Sequence, residues 1–148
     1  MIDVGGGYGG GPVAYLKDNA IAVAGFNGAE TSSRTTADGQ LHFVNKRAEA
    51  VWRFREALDP GQEGGSPVAL PPDRALLADL TAPRWSMTPR GILVEAKEAI
   101  RKRLGRSPDR GDAAVMCWSE GEALAERRAR AGGPKPRVLL GYGRAKRG

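Results

Sequence analysis

The chain has 148 residues, 41% of them hydrophobic, which suits one domain with a core. Its formal net charge is +6, but eight of its 23 Lys/Arg stand in residues 127–148, where there is no acid. That leaves 15 basic against 17 acidic residues in the remainder, so the high isoelectric point belongs to the tail. No run approaches the roughly 20 apolar residues of a membrane span, and the glycine-rich opening is unlike a signal peptide. A single cysteine, Cys117, excludes an internal disulfide and a cysteine-based zinc site; a reducing, cytoplasmic compartment fits.

The opening, Met1-Ile2-Asp3-Val4, followed by six glycines interrupted only by Tyr8, reads as the end of a buried strand entering a tight turn. Pro12 suits a first helical turn, and Val13 to Asn19 a short helix. Ala20 to Phe26 is a continuous apolar run and predicts a fully buried strand. Strand, glycine turn, helix and strand make a parallel crossover unit. Residues 27–40 are polar and predict a mobile surface loop, longer than an ordinary connection needs.

Phe43, Arg47, Ala50, Val51, Phe54 and Leu58 recur at helical spacing, with Asn45 as a cap, and Asp59-Pro60-Gly61 ends that helix. Val68-Ala69-Leu70 is read as a short edge strand. Pro71-Pro72-Asp73 starts a helix over 74–80, with Leu76, Leu77 and Leu80 inward. Arg84 to Met87 and Gly91 to Glu95 predict a hairpin. Ala96 to Leu104 is a helix with Ile100 and Leu104 inward. The last helix is predicted over Asp109 to Ala125, with Cys117 a small core residue. The fold class is therefore α/β.

Gly5-x-Gly7-x-x-Gly10 matches a dinucleotide fingerprint, but the second strand ends Gly25-Phe26-Asn27, with no acid to hold a ribose. Gly11-Pro12-Val13 stands where a phosphate loop needs Gly-Lys-Ser/Thr. His42, the single histidine, has no activated Ser or Cys nearby and reads as a residue leading into the helix. Carboxylates remain: Asp3 at a strand end, and Asp109 and Asp112 in the first turn of the last helix, three apart and so on nearly one face. Acids at a helix start also serve simply as caps and complements of the macrodipole. Brought together at a buried helix start they repel unless neutralised, and Mg²⁺ or Mn²⁺ is the usual answer. Glu95 and Lys97, at a strand-to-helix junction, either line such a site or form an exposed surface pair. The basic tail, with Arg127, Arg128 and Arg130, suits a polyanion or is simply a solvated end.

Several ordered segments carry a resemblance. They are Phe43-Val44-Asn45-Lys46-Arg47-Ala48-Glu49 with Trp52-Arg53 and Leu58-Asp59-Pro60, and Leu80-Thr81-Ala82-Pro83-Arg84-Trp85. Glu95-Ala96-Lys97 and Lys102-Arg103-Leu104-Gly105-Arg106-Ser107-Pro108-Asp109-Arg110-Gly111-Asp112-Ala113 follow. Together with the Asp3 glycine turn, the set from about Ile2 to Trp118 resembles the C-terminal part of the large terminase subunit of tailed bacteriophages. That family joins an ATPase motor to a nuclease of RNase H-like fold, which packages viral DNA and cuts the concatemer.

The resemblance implies a partial RNase H-like nuclease fold over 1–126 and a basic, flexible tail over 127–148. It implies a two-metal Mg²⁺ or Mn²⁺ site built from acids in three places. Asp3 matches the later strand end, and Asp112, with Asp109 as the alternative, matches the late helix start; these would be catalytic and metal-binding residues. The first-strand acid, the first sheet strands and the motor have no counterpart, so the chain is expected to be a piece of the nuclease domain, inactive alone. Lys97, Arg127, Arg128 and Arg130 are the expected DNA contacts. Double-stranded DNA, the small subunit and the portal or procapsid are the expected partners, in the cytoplasm of the bacterial host, with no membrane. The alternative is a non-catalytic DNA-binding or capsid-docking module whose carboxylates only cap helices.

Overall fold

A computed structural model of the chain describes residues 1–7, 9–21 and 23–130. The elements are β1 (Ile2–Asp3), α1 (Gly10–Asp18), β2 (Gly25–Phe26), α2 (Lys46–Ala57), α3 (Arg74–Thr81), β3 (Trp85–Thr88), β4 (Gly91–Val94), α4 (Lys97–Leu104) and α5 (Asp109–Arg130). β1 and β2 pair in parallel, Ile2 with Gly25 and Asp3 with Phe26, across the expected strand–helix–strand unit. β3 and β4 form the expected antiparallel hairpin, Trp85 opposite Val94. The class is mixed α/β. The two sheets are not joined among the described residues. No helix among them is long and apolar enough to cross a membrane.

The α2 helix forms where its periodicity places it. Phe43, Ala48, Ala50, Phe54 and Ala57 are buried. Phe43 and Ala48 pack with Ile92 and Val94 of β4, while Ala50 and Phe54 pack with Val115 of α5. Each large apolar side chain so buried contributes about 1.5–3 kcal/mol. The helix start is satisfied from three directions: Asn45 Oδ1 accepts from Ala48 N, Lys46 N donates to Glu30 O, and Arg47 N donates to Gly28 O.

Residues 28–34 are thereby fastened to α2, and the expectation of a mobile 27–40 loop is corrected. Ser32 Oγ donates to Glu49 (2.7 Å), Arg34 pairs with the same carboxylate, and Thr36 is buried with its N–H on Leu41 O. A polar loop is held when its groups satisfy a helix start.

Four further expectations are corrected. The buried strand over 20–26 shrinks to Gly25–Phe26: Ala20 takes a left-handed φ of 58°, and Ile21 is half exposed. Val68 to Leu70 is not a strand; prolines at 67, 71 and 72 remove ladder donors around it, and Ser66 Oγ ties it to Ala57 O instead. Cys117 is exposed, because Val115 and Trp118 take the packed face of α5. The last helix continues past Ala125 to Arg130, so Arg127, Arg128 and Arg130 stand on helical backbone; their side chains and residues 131–148, on which the rest of the expected tail falls, lie outside what is described.

On α3, Leu76 is buried and Leu80 packs against the core as expected, but the third leucine does not turn inward. Leu77 is 63% exposed, whereas Asp79 is 1% exposed. The Asp79 carboxylate accepts from Arg110 N (3.1 Å) and Gly111 N (3.3 Å), so it caps α5 from a neighbouring helix. Arg106 Nη1 lies 2.6 Å from its other oxygen, a charge contact without hydrogen-bond alignment. Gly111 makes the approach possible, since a Cβ there would sit 2.8 Å from Asp79 Cβ.

Alanine for glycine in a helix ordinarily stabilises by up to about 1 kcal/mol. At Gly111 the overpacking cost of about 1–3 kcal/mol reverses that sign. Urea denaturation of Gly111→Ala is expected to show net destabilisation of about 1 kcal/mol; a higher midpoint than wild type would contradict the close α3–α5 contact.

Candidate functional site

Asp3 ends β1, and its Oδ1 accepts from Gly5 N at 2.8 Å, turning the chain immediately after the strand. Gly9 completes the turn: a Cβ there would lie 2.0 Å from the Asp3 carbonyl oxygen. The glycine run therefore folds back over Asp3 and leaves its residue exposed at the strand end.

Asp112 lies in the first turn of α5. Its Oδ2 is 2.8 Å from Lys97 Nζ, and its Oδ1 is 3.9 Å from Arg47 Nη2. Lys97 Nζ also stands 3.3 Å from Asp109 Oδ1. One ammonium thus bridges the two acids. Burial by itself pushes the Lys97 ammonium down, but the hydrogen bonds and charges of Asp112 and Asp109 outweigh it and hold its pKa above the ordinary 10.5. The Asp109 carboxyl is lowered from 3.8, first by the hydrogen bond from Ser107 Oγ and then, against slight burial, by Lys97.

Asp3, Arg47, Lys97 and Asp112 line one cleft of about 310 Å³, floored by Phe26, Val51 and Val115. It opens where the ends of β1 and β2 meet the starts of α2, α4 and α5. Three helix N-termini carry partial positive charge toward this region, and α4 has no side-chain cap at Ala96. Arg47 Nη1 donates to Glu95 O at 2.6 Å, while its Nη2 is buried without a hydrogen-bond partner.

The structure brings Asp3, Lys97 and Asp112 to one cleft, and Asp109 joins through Lys97 without lining it. Glu95 does not join: its carboxylate pairs with Arg103 and accepts from Arg84 N. Arg47 was read only as part of a helical face. An arginine on an otherwise apolar inward stripe was the available signal. Asp79, between Leu76 and Leu80, carried the same signal on α3.

Carboxylate oxygens suit Mg²⁺ or Mn²⁺. Asp3, Glu98 and Asp112 are the acids that line the cleft. Among the described residues no group of three His, Cys, Asp or Glu side chains comes together to hold a metal. Lys97 supplies the neutralising charge that the sequence pattern assigned to a metal. No protein-family model matches the chain, and neither a curated protein nor a solved structure does so significantly.

The raised Lys97 pKa gives the bridge a defined pH range. The ammonium's contribution is fully present below 10.5 and is lost as pH rises through its folded pKa; the lowered Asp109 contributes above 3.8 and loses its share as pH falls below that. Lys97→Met is therefore expected to lower thermal stability modestly between pH 5 and 9, by under about 1 kcal/mol for a part-exposed pair. The gap from wild type should narrow at both pH extremes. A gap independent of pH would show that Lys97 acts through its aliphatic stem.

Proposed function

We propose that this chain is nuclease-domain sequence of a phage DNA-packaging terminase large subunit, and that the Asp3–Asp112 cleft holds a divalent cation for endonucleolytic cleavage of viral DNA. One observation carries the reading. Two acids from opposite ends of the described chain line a single cleft at the ends of parallel strands, where α/β proteins place their chemistry. Both are among the acids that the resemblance implies, Asp3 at the strand end and Asp112, with Asp109 as its alternative, at the late helix start.

In this reading Asp3 and Asp112 hold the ion, and Asp109 steadies the first turn of α5. Bound Mg²⁺ or Mn²⁺ supplies Lewis acidity toward a phosphodiester and an activated water. Lys97 and Arg47 present positive charge to the phosphates, and Arg127, Arg128 and Arg130 extend DNA contact along α5, with salt-dependent affinity. A two-metal site of the RNase H-like kind needs a further acid that does not join the cleft among the described residues. Cleavage by this chain alone is then weak or absent. Double-stranded DNA is the substrate, the small subunit and portal are partners, and the bacterial cytoplasm is the setting.

A second reading is favoured by the ion pairs themselves. Lys97 and Arg47 already compensate Asp112, as they would in a non-catalytic DNA-binding or capsid-docking module. Isothermal titration with Mn²⁺ separates the two. The nuclease reading expects saturable binding that disappears in Asp112→Asn while circular dichroism is unchanged. A folded wild-type protein that takes up no Mn²⁺ would leave the binding module as the answer.

A further inference from the structure

A second concavity, of about 250 Å³, lies between α2, α3 and β3. Trp52, Phe54, Leu58, Leu77, Leu80 and Trp85 give it apolar walls. Leu77 is 63% exposed, Trp85 52% and Leu70, which also lines it, 39%, so the described chain leaves large apolar side chains uncovered here. A cluster of exposed apolar groups around a groove marks an interaction site on a folded protein. Trp85 is held for contact, its ring edge-on to Trp52 with centroids 5.0 Å apart at 90°. The charges around the groove are not balanced. Its two acids are already committed, Asp79 to Arg106 and the start of α5, and Asp112 to Lys97. Its two arginines are not. Arg55 lies 4.7 Å over the Trp52 ring and Arg84 is exposed, and among the described residues neither guanidinium meets a carboxylate.

We propose that this groove docks a partner protein through a short segment carrying a large apolar side chain flanked by Asp or Glu. The apolar anchor buries between Leu77, Leu80 and Trp85, taking from water the surface that the fold leaves exposed. The flanking carboxylates meet Arg55 and Arg84 at the rim. Tryptophan and arginine beside an apolar pocket are the combination that concentrates binding energy in interfaces. Charge complementarity selects this occupant. Residues 131–148 of the chain itself carry Lys135, Arg137, Arg144, Lys146 and Arg147 and no acid, so they would set cation against cation. A nucleic acid would bring its phosphates toward Asp79 and Asp112, along apolar walls with only two cations to receive them. Val51, Asp112 and Val115 line both this groove and the Asp3–Asp112 cleft. Docking asks nothing of Asp3 or Lys97, however, and stands apart from the nuclease reading.

The test pans the 148-residue protein against a displayed library of random dodecapeptides. Recovered sequences are expected to place Asp or Glu beside Leu, Phe or Trp. A synthetic copy of the most enriched peptide is expected to bind about tenfold more weakly to Arg84→Glu and to Leu77→Asp than to wild type. Its affinity for wild type is expected to fall as salt rises. Both substitutions alter exposed side chains, and Arg55→Glu takes the place of either variant whose circular dichroism shows that it does not fold. Recovered peptides without acids overturn the proposal, as does a library that yields no binder. Acidic peptides that bind wild type and the folded variants equally overturn it too. Sedimentation that finds wild-type dimers dissociated by Leu77→Asp gives the groove to a second copy of the chain and overturns it. A labelled single-stranded oligonucleotide whose binding Leu77→Asp abolishes gives the groove to nucleic acid, with the same consequence.

Discussion

The buried carboxylate of Asp79 is the contact on which the arrangement of the chain depends. It accepts the Arg110 and Gly111 N–H groups at the start of α5 and takes its charge balance from Arg106. A buried carboxylate is costly unless paired and hydrogen-bonded, so α3 and α5 must meet here, and Gly111 allows the helices to close. Once α5 is anchored at Arg110 and Gly111, the next residue, Asp112, has a fixed position. Val115, one turn on, packs with Ala50 and Phe54 of α2. The packing of three helices therefore sets where the Asp112 carboxylate stands.

From that anchor the charges of the cleft follow in order. Asp112 faces Lys97 because the hairpin delivers the start of α4 beside α5. Arg47 is held by the Glu95 carbonyl at the same junction. Asp3 arrives independently, on the short parallel pair, with its glycine turn folded over it. A cleft that gathers helix N-termini, three acids (Asp3, Glu98 and Asp112) and two bases (Arg47 and Lys97) is electrostatically mixed.

Much of the local structure was legible from residue order. Helix α2 was readable from its apolar spacing and from Asn45, whose side chain caps it as expected. Asp73 caps α3, and the hairpin forms around Pro89 and Arg90. The β2 strand was overread: an unbroken apolar run reports burial only if neighbours cover it, and Ile21 stays half exposed. The 27–40 segment was read as mobile because polar composition does not reveal that its carbonyls satisfy the start of α2. Leu77 and Asp79 exchanged roles for a related reason. Leucine content suggested the inward face of α3, but the uncapped N–H groups of α5 required an acceptor there.

The candidate site divides along the same line. The sequence by itself determined the caps, the turns, the helical stripes and the presence of acids at a strand end and a helix start, since these depend on residues within a few positions of one another. Tertiary structure alone decided that Asp3 and Asp112 share a cleft, that Lys97 and Arg47 stand against Asp112, and that Glu95 turns away to Arg103. Those meetings join side chains from different elements. Their distances are set by how closely α3 and α5 pack over Gly111 and by the hairpin that places α4, which no local pattern records.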